Sequence, residues 1–111
     1  MGSNVTKLLS ESIEAGLDTF GIGVKESLYF FAKEKSIPRD EVAERIDEFL
    51  QVLQSLIGSG TRIFERITIK IFAQKAGISS EQLNGKGLLD VVHLVELRAL
   101  RKSQKKRGDV N

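Results

Sequence analysis

The chain has no cysteine and no tryptophan, and among its 111 residues only one proline, one histidine and one methionine. Without cysteine there is neither a disulfide framework nor a thiolate to bind a metal or attack a substrate. An intracellular setting is the simpler reading of that absence. The lone histidine, His93, has no second histidine and no cysteine with which to build a usual zinc site. No run approaches the roughly 18–20 consecutive apolar residues that a membrane span requires. Residues 1–9 carry one lysine and no long apolar stretch, which argues against a secretory leader. Gly2-Ser3-Asn4-Val5-Thr6 matches a myristoylation start only loosely. The expectation is a cytoplasmic protein without membrane association, cofactor or metal.

What is present has a globular balance. Hydrophobic residues make up 41% and charged residues 29%, enough apolar material for a core and too little charge excess for disorder. The length fits one domain. Residues 1–102 read as a single helical domain, and residues 103–111 as a basic tail that should fray. No internal repeat or linker is apparent.

Periodicity predicts an all-α chain of four to five helices. The first runs from about Asn4 to Thr19, with Asn4 as cap and Leu8, Leu9, Ile13 and Leu17 at helical spacing. Phe20-Gly21-Ile22-Gly23 interrupts it. The second runs from about Val24 to Lys35 and stops before Pro38, because the residue preceding a proline is pushed out of the α region. Pro38-Arg39-Asp40-Glu41 then reads as a helix start, with acids at the positive end of the dipole. This third helix should reach Gly58-Ser59-Gly60, with a bend near Ile46-Asp47.

Residues 61–76 carry two signals. Ile67-Thr68-Ile69-Lys70-Ile71 alternates as a strand would, while Ile63, Ile67 and Ile71 recur at helical spacing, as do Phe64 and Phe72 around Thr68. A single strand among helices has nothing to pair with except a symmetry mate, so helix is preferred. Ser79-Ser80-Glu81-Gln82 has the form of a capping box ahead of a brief turn. A last helix follows from Leu88 to about Lys102. The expected core is Leu28, Phe31, Phe49, Leu53, Ile63, Ile67 and Ile71.

The last helix is apolar nearly all round in its first turns. Leu88, Val91, Val92 and Val95 make one stripe, and Leu94 and Leu97 lie toward the opposite side. A terminal helix in so small a chain is seldom buried on every side, so these six residues are assigned to self-association as a homodimer.

The charge is segregated. Arg98, Arg101, Lys102, Lys105, Lys106 and Arg107 put six bases and no acid into residues 98–107, and without them 11 bases face 15 acids, a balance of −4. Such a run attracts phosphate backbones or acidic partners, although cations also suit a helix C-terminus. No aromatic residue interleaves with these bases, so a stacking platform for single strands is absent. Asp40, Glu41, Glu44, Asp47 and Glu48 form an acidic ridge that could dock the basic tail.

No catalytic set emerges. Gly58-Ser59-Gly60-Thr61 lacks the lysine of a phosphate loop and reads as a helix–helix turn. His93 could pair with Asp90 or Glu96, but no serine nucleophile stands with them.

Glu26-Ser27-Leu28-Tyr29-Phe30-Phe31, Ile37-Pro38 with Phe49 and Leu53, and above all residues 56–67 (Leu56-Ile57-Gly58-Ser59-Gly60-Thr61 onward) resemble a family of small archaeal output domains of signal-transduction and regulatory proteins. The resemblance covers about residues 25–77. It implies a domain that passes on a signal by contact, without catalysis, and it carries over no functional residue. The expected function is a non-enzymatic interaction or regulatory module, homodimeric, with an unidentified protein partner. The alternative is a nucleic-acid binder using the basic last helix and tail.

Overall fold

The computed structural model describes the backbone of residues 3–110 and the side chains of residues 4–102. It contains five α-helices and, among the described residues, no strand: α1 (Ser3–Asp18), α2 (Ile22–Glu34), α3 (Ile46–Ile57), α4 (Gly60–Ala76) and α5 (Leu88–Val110). Two short 3₁₀ turns, Arg39–Glu41 and Ser80–Leu83, lie in the connections. The all-α expectation holds. The alternation at residues 67–71 is helical.

The centre of the molecule is the crossing of α1 on α4. Val5, Leu9, Ile13 and Leu17 recur every four residues, which puts them on one face of α1, and all four are buried. Opposite them, α4 buries Thr61, Phe64, Thr68 and Phe72. The two helices run antiparallel, with Glu11 3.6 Å from Lys75 at one end and Gly16 against Thr68 and Phe64 at the other. Gly16 is required there, because a Cβ would overlap Thr68 Oγ1. Phe49 from α3 and Leu88 and Val91 from α5 complete the core, all fully buried.

This arrangement corrects the expected core. Leu28, Phe49 and Leu53 are buried, but Phe31 is 44% exposed and Ile63 53% exposed, and Ile67 and Ile71 are only half-buried. Two stripes compete on α4, one step of 100° apart. The stripe with the larger rings, Phe64 and Phe72, faces α1, and that turns the isoleucines outward. The third helix is also shorter than expected. Residues 42–45 form turns, Arg45 sits outside the α region (φ −118°, ψ 41°), and α3 begins only at Ile46.

Helices α2 and α4 end in the same way. Ser36 N donates to Lys33 O and Ile37 N to Ala32 O (both 2.9 Å), while Ile78 N donates to Ala73 O (2.8 Å). In both cases a left-handed residue is followed by a buried isoleucine, which closes the last carbonyls and pins the chain. Gly77 takes that conformation freely. Ser36 takes it at φ +67° and is the one non-glycine residue there among those described. Helix α5 then runs beside α4 in the same direction. Leu88 N donates to Glu65 Oε2 (3.3 Å), and further along Arg98 Nη1 donates to Gly77 O (3.2 Å). Beyond Arg98 the helix passes the end of α4 and overhangs.

Candidate interaction surfaces

Helices α2 and α3 lie antiparallel, and the surface between them is an open groove. Leu56 and Ile57 stand beside Gly23 and Val24 at one end, and Glu48 stands beside Lys35 and Ile37 at the other. Phe31 and Leu56 contribute to both ends, so the apolar floor is continuous. Ile22 (77% exposed) and Phe30 extend the apolar surface around α2. The charged residues that line it are Glu34, Lys35 and Glu48, while Asp40 and Glu44 line a separate hollow against α1. Residues 40–57 hold five acids and one base, Arg45. Arg45 is itself bound on three sides, to Glu48 (Nη2–Oε1 2.8 Å, Nε–Oε2 3.0 Å), to Glu41 (3.2 Å) and to Ser36 O (2.6 Å). Those bonds raise the Arg45 pKa and lower that of Glu48. Of the acidic ridge, Glu41 and Glu48 therefore already have a cation, while Asp40, Glu44 and Asp47 are exposed.

On α5, the chain's own fold covers most of the residues assigned to self-association. Leu88 and Val91 are fully buried, Val92 and Val95 are buried, and Leu94 is half-buried. Leu97 alone of the six is exposed (52%), joined by Leu89 and by Leu100 at 59%. The surface α5 offers to another molecule is thus its outer side and its overhang. The basic residues divide similarly. Arg98 is partly buried and tied to Gly77 O, and Arg101 and Lys102 are exposed. Lys105, Lys106 and Arg107 lie outside the residues whose side chains are described.

A polar cluster that sequence reading missed joins α1, α2 and the first 3₁₀ turn. Glu14 accepts from Tyr29 Oη (2.5 Å), from Arg39 through Nε (3.2 Å) and Nη2 (3.0 Å), and from Lys25 Nζ (2.8 Å). Lys25 also reaches Asp18 (2.8 Å), and Arg39 reaches Glu26 (3.2 Å) while lying 4.1 Å from the centre of the Tyr29 ring. Partial burial pushes the Glu14 carboxyl up, but the bonds from Lys25, Tyr29 and Arg39 outweigh it and hold the pKa at about 2. Burial, and then the bond to Glu14, raises the Tyr29 hydroxyl above its usual 10. Every acid and base in the cluster is engaged with another, so it locks three segments together and offers no free base. Only the i, i+4 pairs Glu14/Asp18 and Lys25/Tyr29 were visible in the sequence. Arg39 joins them because the 3₁₀ turn folds back along α2.

The remaining candidates are local features. Ser79 N donates to Gln82 Oε1 (3.2 Å) in the capping box. In the Gly58-Ser59-Gly60 turn, Thr61 N donates to Gly58 O (3.0 Å) and Arg62 N to Ser59 O (3.1 Å), so those amides are used within the turn and are not free for an anion. His93 is exposed, with Nδ1 3.9 Å from Glu96. No helix among the described residues is long and apolar enough to cross a membrane. In comparisons with known proteins, no family model matches the chain, and no curated protein or solved structure is similar to it.

Proposed function

We propose that this chain is a non-enzymatic interaction module of the cytoplasm that works by contact, in the first place with another copy of itself. One observation carries the reading: the large exposed apolar side chains gather on the α2–α3 face and on the outer side of α5. Contiguous apolar surface of this kind is characteristic of binding faces on small soluble domains. The stretch that resembles the archaeal output domains, residues 25–77, spans α2 to α4 and includes the α2–α3 face, and contact without catalysis is what that resemblance implies. Light scattering across the micromolar range tests the reading. It should give twice the 12.3 kDa chain mass. A monomer throughout the range defeats it.

The second reading is nucleic-acid binding through α5. It rests on the exposure of Arg101 and Lys102 within a stretch that has no acid. Such binding would weaken steeply with salt and show little sequence preference, because counterion release would drive it. Titration of labelled duplex and single-stranded DNA at low salt decides, where electrostatic contacts are strongest. Absence of binding there removes this reading.

A further inference from the structure

We propose that two copies of this chain pair along the outer sides of their α5 helices, antiparallel about a twofold axis. The inference rests on the self-association reading and specifies its geometry. Stepped at 100° per residue, Leu89, His93, Leu97 and Leu100 fall within about 80° of one another, on one stripe of α5. All four are exposed. Helix α5 packs on α1 and α4 through its other side, where Leu88, Val91, Val92 and Val95 are buried. Two copies can therefore meet stripe to stripe with their bundles on opposite outer sides. The stripe matches itself when one copy is reversed. With the axis at the level of Val95, Leu89 of each copy stands opposite Leu100 of the other, and His93 opposite Leu97.

Charge selects this orientation. Within residues 88–102 the acids, Asp90 and Glu96, precede the bases, Arg98, Arg101 and Lys102. A parallel pair would set like against like, whereas reversal sets the acidic half of each helix against the basic half of the other. Asp90 and Arg101 are exposed. They flank the stripe on its Leu97 side, only about 20° apart round the helix. Antiparallel helices bring the same flank of each copy together, so Asp90 of each copy faces Arg101 of the other. Asp90 Oδ2 also accepts from Gly87 N (3.1 Å), which holds the carboxylate at the helix start. Glu96 lies on the other flank near the axis, where its counterpart approaches it and lowers the affinity. His93, with Nδ1 3.9 Å from Glu96 in its own chain, stands beside that contact. Residues 89–100 span about 17 Å at 1.5 Å per residue. One helix pair of that length falls short of the roughly 1,200 Å² of a standard interface, so the dimer dissociates on dilution.

The test uses exposed positions, with circular dichroism confirming that each variant keeps its helices. Leu97→Glu should weaken association at least about thirtyfold, as expected for an anchor residue. Arg101→Asp sets two acidic pairs against each other in the dimer and should weaken it about three- to tenfold at low salt. Adding Asp90→Arg to the same chain should restore the affinity, because opposite charges again face each other. A parallel pair, or a pair through another face, would not respond to the single change. A second measurement does not depend on affinity. The chain has no cysteine, so Asp90→Cys and Arg101→Cys chains mixed in solution should form a mixed cross-linked dimer with a short bismaleimide. Neither should join to itself, because like positions then lie about 16–18 Å apart along the axis. A dimeric parent overturns this geometry if its Leu97→Glu or Arg101→Asp form associates as the parent does, or if its Asp90→Cys chains join to one another. Self-association would then stand through another face. A monomeric parent overturns both.

Discussion

The crossing of α1 on α4 is tested most directly by Gly16→Ala. In an isolated helix this change would stabilise by about 1 kcal/mol, because glycine is a poor helix former. Here the new Cβ would overlap Thr68 Oγ1 and lie 3.4 Å from Phe64 Cε1. Thr68 is fully buried in α4, so rotating its hydroxyl away from the new methyl would drive a γ substituent into a packed neighbourhood. Overpacking against so short and stiff a neighbour belongs at the upper end of the usual cost of about 1–3 kcal/mol. Sterics therefore win, and a net loss of about 1–2 kcal/mol is expected. At about 4–8 °C per kcal/mol for a domain of this size, the Tm should fall by roughly 5–15 °C. Thr68→Ala supplies the control. Its hydroxyl finds no hydrogen-bond partner among the described residues, so its removal offsets part of the space left behind. In the double variant the methyl introduced at position 16 enters that space, and the pair should be more stable than additivity by at least about 1 kcal/mol. Urea unfolding followed by helical circular dichroism measures all four corners of the cycle. A Gly16→Ala chain as stable as the parent, or an additive double variant, would refute this account of the interface.

The competing stripes on α4 should separate cleanly in the same assay. Phe64→Ala or Phe72→Ala should cost about 3–5 kcal/mol as a buried ring is lost, whereas Ile63→Ala should stay within about 0.5 kcal/mol. Glu14 should make stability depend on acid pH. Its pKa is lowered from the usual 4.5 to about 2, so its contribution is complete above 4.5 and disappears as pH falls toward 2. The full shift corresponds to about 3 kcal/mol, which water around the partly open cluster reduces to about 1–2 kcal/mol. That is the advantage the parent should hold over Glu14→Gln at pH 7 and lose near pH 2. Ser36→Gly should stabilise by about 0.5–1 kcal/mol, since a left-handed residue with a Cβ is strained. An unchanged midpoint in urea unfolding would refute the strain at Ser36, since the Arg45 bond to the Ser36 carbonyl is the same in both chains.

Helix positions were legible because they depend on local chemistry. The Gly58-Ser59-Gly60 turn, the stop before Pro38 and the Ser79-Gln82 box act within a few residues, and each ends or starts an element close to where spacing placed it. Which face of a helix is buried depends on the partner. Residues 61–76 offer two apolar stripes of equal period, and the choice between them depends on α1, far away in sequence, where Gly16 lets Phe64 and Thr68 approach closely. The same holds for α5. Its first turns are apolar nearly all round because the chain itself buries Leu88, Val91, Val92 and Val95, so the free surface had to be found among Leu89, Leu97 and Leu100. The Glu14 cluster was illegible for a related reason, since Arg39 reaches it only through the fold of an irregular connection.

The exposed outer side of α5 gives the self-association reading a measurable consequence. Val95 is the last buried residue of the helix among those described, and Arg98 is its last tie to α4. Beyond Arg98, the described residues Ala99, Leu100, Arg101 and Lys102 are all exposed, so they gain little burial within the chain to offset their conformational entropy. Isolated helices shorter than about 12–15 residues are marginal in water, and bases repelling one another along residues 98–107 weaken this one further. A second copy that covers Leu97 and Leu100 supplies the missing burial. Helicity should therefore be coupled to association. Diluting the parent from high to low micromolar concentration should lower the helical circular-dichroism signal per residue along the same curve as the loss of dimer by light scattering. A helical signal constant across the dissociation curve would show that the extension needs no partner, and the argument from marginal stability would fail.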